Sequence, residues 1–287
     1  MPIRFVTILL LLILTCGCVR YGKLKNQVDL PRRLNECSGL TTLDGDTLWL
    51  IEDGGNADNL YGINPRGEIV ATFEVSNAKN EDWEALTSDT AGNVYIGDFG
   101  NNKSKRQDLV IYKLPNPKVE KGDKIPARKI RFNYPDQKEF PPDFANRRFD
   151  AEAFFHFKGR LYIITKNQSD PFNGRAYVYS VPDEPGKYTA VSEFEFETCP
   201  DRSSCRVTDA ALSPDGNRLV LLGYGKLWIF EEFAKKKFGK GPDRTVDLGA
   251  STQLEAICFG RDDLLYIADE RVMKAGGHLY AFPLPRE

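Results

Sequence analysis

Two histidines among 287 residues leave little material for soft-metal chemistry, and the six cysteines show none of the paired Cys/His spacings that zinc sites use. Net charge is almost lacking too. Against 39 basic residues stand 41 acidic ones, a formal charge of −2, so no basic field exists to hold a phosphate backbone and nucleic acid is excluded as a partner. No apolar run approaches the roughly 20 residues that cross a bilayer as a helix; the run from Phe5 to Thr15 has eleven. G-x-S-x-G, P-loop and H-E-x-x-H patterns are missing, which removes the usual signals of a serine hydrolase, a nucleotide phosphatase and a zinc protease. What is present, 41% hydrophobic and 28% charged residues, describes a globular chain able to bury a core, which excludes intrinsic disorder.

The eleven-residue run has the length of a signal-peptide core, roughly 7 to 15 residues. Residues 1–17 therefore read as an export signal with no part in the fold. Cys18, preceded by the small Gly17, resembles the acylated cysteine of bacterial lipoproteins; Thr15 stands where Leu is usual, which leaves Cys16 as a weaker candidate. The expectation is a lipid anchor at Cys18, a tether over 18–26, a domain over 27–287, and a place in the bacterial cell envelope, at the outer membrane. Export also permits disulfides. Cys199 and Cys205 bracket five residues and are expected to pair, whereas Cys37 and Cys258 sit in apolar strand contexts and are expected to stay free.

One phrase recurs five times. Each copy opens with an acid and a short apolar run: Glu36-Cys-Ser-Gly-Leu, Glu84-Ala-Leu, Glu152-Ala-Phe-Phe, Asp209-Ala-Ala-Leu and Glu255-Ala-Ile-Cys-Phe. A turn follows, then a dense apolar strand such as Leu161-Tyr-Ile-Ile, then an aromatic third strand such as Leu227-Trp-Ile-Phe. A more polar fourth strand lies at 68–75, 127–133, 190–197 and 244–248. Four antiparallel strands per repeat predict an all-β chain, a β-propeller of five four-stranded blades. The long stretch 115–146 reads as a rim insertion with room for a degenerate sixth. The fifth copy lacks its fourth strand, and Gln27-Val-Asp-Leu, which echoes Thr245-Val-Asp-Leu, is expected to supply it and close the ring.

In such a blade the start of the first strand and the end of the second share one end of the sheet. The opening acids should therefore ring one mouth of the channel, beside loops carrying Asp53, Asn56, Asp98, Asn101, Asn102, Lys166, Gln168, Tyr224 and the run Asp269-Glu-Arg271. Converging carboxylates repel, so they need protons, cationic side chains, amide donors or a metal. Among metals calcium suits hard oxygen ligands best. Residues that differ from copy to copy are the better ligand-binding candidates: Asp53, Asn56, Asp82, Trp83, Asn101, Asn102, Asp150, Lys166 and Arg271. Trp49 and Trp228, flanked by apolar residues, belong to the core, while Trp83, between Asp82 and Glu84, is expected to be partly exposed to a ligand. His156, in an apolar strand, reads as a hydrogen-bonded structural residue.

The phrases Ser38-Gly-Leu, Asp82-Trp-Glu-Ala-Leu, Ile96-Gly-Asp-Phe-Gly-Asn-Asn and Phe149-Asp-Ala-Glu-Ala resemble those of the bacterial SdiA-regulated and phytase-esterase-like propellers. The likeness covers most of residues 23 to 287. It implies a propeller that in its hydrolytic members holds calcium at one channel mouth, with Glu36, Glu84, Asp98 and Glu152 as the ligands by analogy. Three readings stand side by side: a membrane-anchored module that binds an envelope ligand or protein, a calcium-dependent hydrolase of phosphoesters or lactones, and a structural assembly component.

Overall fold

A computed structural model describes residues 20–25 and 28–285. The export segment 1–17 and Cys18 lie outside the described residues, and no described helix is long and apolar enough to cross a membrane. The apolar runs form strands because both of their faces are covered, and Gly- and Asp-containing turns reverse the chain between them. Blade 1 comprises Cys37–Thr42, Leu48–Glu52, Asn59–Ile63 and Ile69–Ser76. Blade 2 comprises Trp83–Ser88, Val94–Asp98, Val110–Leu114 and Arg128–Asn133. Ala151–Phe157, Arg160–Thr165, Arg175–Pro182 and Val191–Glu197 make blade 3. Blade 4 runs through Val207–Leu212, Leu219–Gly223, Lys226–Phe230 and Arg244–Asp247.

Blade 5 contributes Leu254–Phe259, Leu264–Asp269 and His278–Pro283, and its fourth strand is Val28–Asp29, paired antiparallel with Leu279 and His278. The fold is thus a five-bladed β-propeller closed by its own N-terminal strand. The stretch 115–146 holds no sixth blade. It supplies the outer strand of blade 2 and the short strand Lys124–Pro126, which adds in parallel to the edge of blade 1. Gly186–Thr189 of blade 3 adds likewise to blade 2. Each addition covers an edge that would otherwise expose unpaired backbone groups.

Five apolar clusters hold the ring, one between each pair of neighbouring blades. Trp228 and Phe230 fill the join of blades 3 and 4; Trp49 and Trp83 fill that of blades 1 and 2. Part of the segment read as a tether belongs to the fold: Leu24 is buried in the cluster of blades 4 and 5, and Lys23 donates its amide to the Leu248 carbonyl (2.7 Å). The described strands begin at Val28, and the described apolar clusters reach back to Leu24, with Tyr21 packed against one of them. Cys199 and Cys205 are disulfide-bonded, with Cα atoms 5.5 Å apart, and Cys37 and Cys258 are buried free thiols.

Candidate functional site: an acidic axial mouth

Every inner strand carries a β-bulge at the same place. The register shifts between Cys37 and Gly39, Trp83 and Ala85, Ala151 and Ala153, Val207 and Asp209, and Leu254 and Ala256. The extra residues are Ser38, Glu84, Glu152, Thr208 and Glu255, and a bulge re-aims a side chain in this way. Four of them, Ser38, Glu84, Glu152 and Glu255, line a cavity of about 130 Å³ together with Asp53, Asn102, Lys166, Tyr224, Gln253 and Glu270. Five carboxylates and one ammonium therefore face a single small space. The bulge corrects two expected ring members. Glu36, two residues too early, is exposed and accepts a hydrogen bond from Asn56 Nδ2 (2.6 Å). Asp209, one residue too late, stands where other blades have Gly or Ala and accepts the amides of Ala210 and Ile257 (both 2.7 Å), which ties blade 4 to blade 5. Ser38 and Thr208 take the acid's place there, donating to the carbonyls of Trp83 (2.8 Å) and Leu254 (2.7 Å) in the next blade.

Glu84 is the pivot of the mouth. Ligand oxygens of Glu84, Asp150 and Glu152 lie within 4.8 Å of one another, and so do those of Asp53, Asp82 and Glu84. Only 6% of Glu84 is exposed, yet no donor is hydrogen-bonded to its carboxylate among the described residues. Burial, then Glu152, Asp53 and the neighbouring aspartates, push its pKa well above the ordinary range. Gly100 permits this crowding: a Cβ there would meet Glu84 Oε1 at 2.2 Å. Asp150 is better served. Its oxygens accept from the Asn101 amide (2.7 Å) and Gln168 Nε2 (2.6 Å), and Gln168 also reaches Asn102.

Lys166 is the counter-charge. Its Nζ sits 3.0 Å from Glu152 and 3.9 Å from Glu255 and lies over the Tyr224 ring. Burial alone would lower its pKa, but Glu152 and Glu255 outweigh that and raise it, so it is a cation. Tyr224 donates to Glu255 Oε1 (2.5 Å), whereas the buried Glu255 Oε2 has no hydrogen-bond partner. One ammonium cannot satisfy five acids. Burial, with Glu255 and Asp53 nearby, pushes Glu270 up to about 8; burial, with Asp53 and Asp150 nearby, pushes Asp82 up to about 6.

The remaining candidates fall outside the cavity. Asp98 is withdrawn into an ion pair with Arg106 (2.8 Å) and accepts the Asp82 amide (3.2 Å), so it does not join the axial ligands. The expected exposure of Trp83 is corrected: the ring is 0% exposed, and its Nε1 donates to the Lys79 carbonyl (3.0 Å). Arg271 braces the rim through Asn35 (2.9 Å), and Asn101 acts on Asp150 through its backbone. Tyr224 and Glu270 carried only their loop positions as a signal and Ser38 only its place in a repeat phrase; Gln253 carried none. His156 pairs with Asp183 (2.7 Å) and stacks on Tyr95.

A wider funnel of about 1,760 Å³ opens at the other end, but most of its acids are held by turn amides or by cations such as Arg218, which pairs with Glu231 (2.9 Å) and Asp263 (3.0 Å). Asp44 takes the amides of Asp46 and Thr47, and Asp215 takes Ser213 and Asn217. The mouth, by contrast, holds Glu84, whose carboxylate accepts from no donor among the described residues. Each of the raised mouth acids binds its proton more tightly folded than unfolded, so protonation favours the fold: this stability is complete below the unfolded carboxylate range near pH 4 and is lost as pH rises through about 6 for Asp82 and about 8 for Glu270. In EDTA the protein is expected to melt higher at about pH 5.5 than at about pH 8.5, by about 1.4 kcal/mol per pH unit for each proton retained. A melting temperature that climbs with pH across that window would show the acids to be ionised and otherwise stabilised.

No family model matches the chain, and no curated protein matches it. Comparison with solved structures returns propellers. The PQQ-bound form of aldose sugar dehydrogenase from Streptomyces coelicolor aligns over 92% of this chain and 98% of its own, at 11% identity and a TM-score of 0.53. A nidogen/laminin complex aligns over 81% and 72%, at 10% identity and a TM-score of 0.42. At 11% identity the likeness to the dehydrogenase speaks for the fold alone, and the second alignment carries no argument.

Proposed function

We propose that this propeller is a lipid-anchored binding module of the bacterial envelope whose axial mouth seats a hard divalent cation, calcium first, and whose rim loops present that cation and their own amides to an envelope ligand or protein. The carrying observation is the Glu84 carboxylate, 6% exposed and without a donor among the described residues, flanked by Asp53, Asp82, Asp150 and Glu152, with Glu255 Oε2 held only by the distant Lys166 ammonium (3.9 Å) and by no hydrogen bond. Buried polar groups are normally paired, and clustered carboxylate and carbonyl oxygens are what calcium takes. A volume of about 130 Å³ suits an ion with its waters, whereas small-molecule pockets run to about 300–1,000 Å³. That favours a cation seat over the hydrolytic reading, in which an ester would have to enter. The resemblance to the SdiA-regulated and phytase-esterase-like propellers agrees with an acidic metal mouth.

Metal analysis and melting test this. At calcium near 100 times its dissociation constant the fold gains about 2.7 kcal/mol, roughly 5–10 °C for a domain of this size. EDTA should remove the gain. At alkaline pH in EDTA, where ionising the buried Glu84 destabilises the fold, Glu84→Gln should melt above the wild type, and it should no longer respond to calcium. Wild-type protein that holds no metal and does not shift with calcium would overturn the reading and leave the ring as a protonated lock.

A further inference from the structure

The mouth end of blade 5 departs from the near-neutral charge of the chain. Arg20, Lys23, Lys25, Arg32, Arg33 and Lys274 are all exposed there, and none of them pairs with an acidic side chain among the described residues. Three exposed acids, Asp29, Glu36 and Asp247, accompany them; Asp29 already faces His278 (3.2 Å), Glu36 is held by Asn56, and Asp247 accepts the Gly249 amide (2.8 Å). In their midst Val272 and Met273 are 44% and 94% exposed, adjacent large apolar residues at the tip of a loop that Val272 and Ala275 close with reciprocal backbone bonds. Three segments are knit into one surface. Arg20 and Ser251 exchange hydrogen bonds (3.0 and 2.8 Å), Glu270 donates to Gln253, Arg271 to Asn35, and Leu30 to Gly277. Gln253 and Glu270 line the cavity, so this patch is the rim of the acidic mouth.

We propose that this rim docks on an anionic membrane surface, with Met273 and Val272 entering the headgroup boundary and the six cations facing lipid phosphates. Apolar tips ringed by Lys and Arg bind interfaces in this way. The chain itself points there: the described residues begin at Arg20 on this patch, two residues from Cys18, and two residues reach at most about 7 Å. Docking would hold the mouth end of the propeller against the bilayer. For its setting the inference rests on the anchored reading above, but the surface chemistry needs no lipid on the protein.

The chain from Arg20 to Glu287, which carries every described strand, would be sedimented with phosphatidylglycerol/phosphatidylcholine vesicles and with pure phosphatidylcholine vesicles at low and high salt. Binding to the anionic vesicles that salt weakens is expected. Met273→Glu should reduce it at least tenfold with unchanged melting, and Lys23→Glu with Arg33→Glu on the order of tenfold. Val119→Glu, another exposed apolar residue, lining the opposite funnel, should change little. No binding to anionic vesicles, or equal losses for Met273→Glu and Val119→Glu, overturns the proposal. Fractionation of the full chain with Cys18→Ala in high salt, which weakens the docking, separates the two readings: release by that variant with no vesicle binding keeps the anchor and sinks the docking surface, and vesicle binding with both the wild type and the variant released at high salt does the reverse.

Discussion

Lys166→Met is expected to cost the fold about 3–5 kcal/mol near pH 8, the loss that follows when one partner of a buried ion pair is removed and the other is left charged. Lys166 is 8% exposed, and among the described residues its ammonium is the single cation lining the cavity against five carboxylates. Methionine fills a similar volume, so lost packing contributes little. The loss should shrink at lower pH. Glu152 already binds its proton more tightly than an ordinary glutamate, burial being the main cause, so acid neutralises what the lysine no longer can. Calcium should restore part of the loss at high pH by replacing one positive charge with another. Chemical denaturation at about pH 5.5 and about pH 8.5, with and without calcium, separates these effects. A loss below about 1 kcal/mol at the higher pH would mean that the acids are neutralised in another way.

Trp83→Ala is expected to cost about 3–5 kcal/mol whatever the metal state. The ring lies in the apolar cluster between blades 1 and 2, 6.1 Å from Tyr112, and its Nε1 donates to the Lys79 carbonyl. Its backbone is fixed as well: the amide donates to Asn80 Oδ1 (3.0 Å), and the carbonyl accepts from Ser38 of the neighbouring blade. Trp83→Phe keeps most of the packing and loses the indole hydrogen bond, so a smaller loss of about 1–2 kcal/mol is expected. Melting of both variants in EDTA checks this. A Trp83→Ala protein that melts like the wild type and loses only ligand or calcium binding would return the indole to the mouth.

Trp83 shows why the sequence reading went only so far. Its neighbours Asp82 and Glu84 suggested a polar entrance, but residues in a strand alternate sides, so a residue between two acids can face the apolar join while they face the mouth. The carboxylates show the same limit in another form. Their recurrence is plain in Glu84-Ala-Leu, Glu152-Ala-Phe and Glu255-Ala-Ile, and all three of these acids occupy the bulge. In blades 1 and 4 the nearest acid was one or two positions out of register, and Ser38 and Thr208 hold the equivalent place. The parallel edge strands were hidden as well. Lys124–Pro126 has three residues and Gly186–Thr189 four, too few for an alternation to stand out.

The sequence by itself determined the five repeats, the all-β architecture, the closure by Val28 and Asp29 and the pairing of Cys199 with Cys205, because apolar runs, turn residues and loop spacing act locally. Only the tertiary structure decided which acids meet at the axis, that Lys166 stands between Glu152 and Glu255, and that Asp98 is drawn aside to Arg106. The physical reason is register: a bulge adds one residue to one strand and moves every following side chain to the opposite face, and its place is set by how each inner strand packs against the next blade.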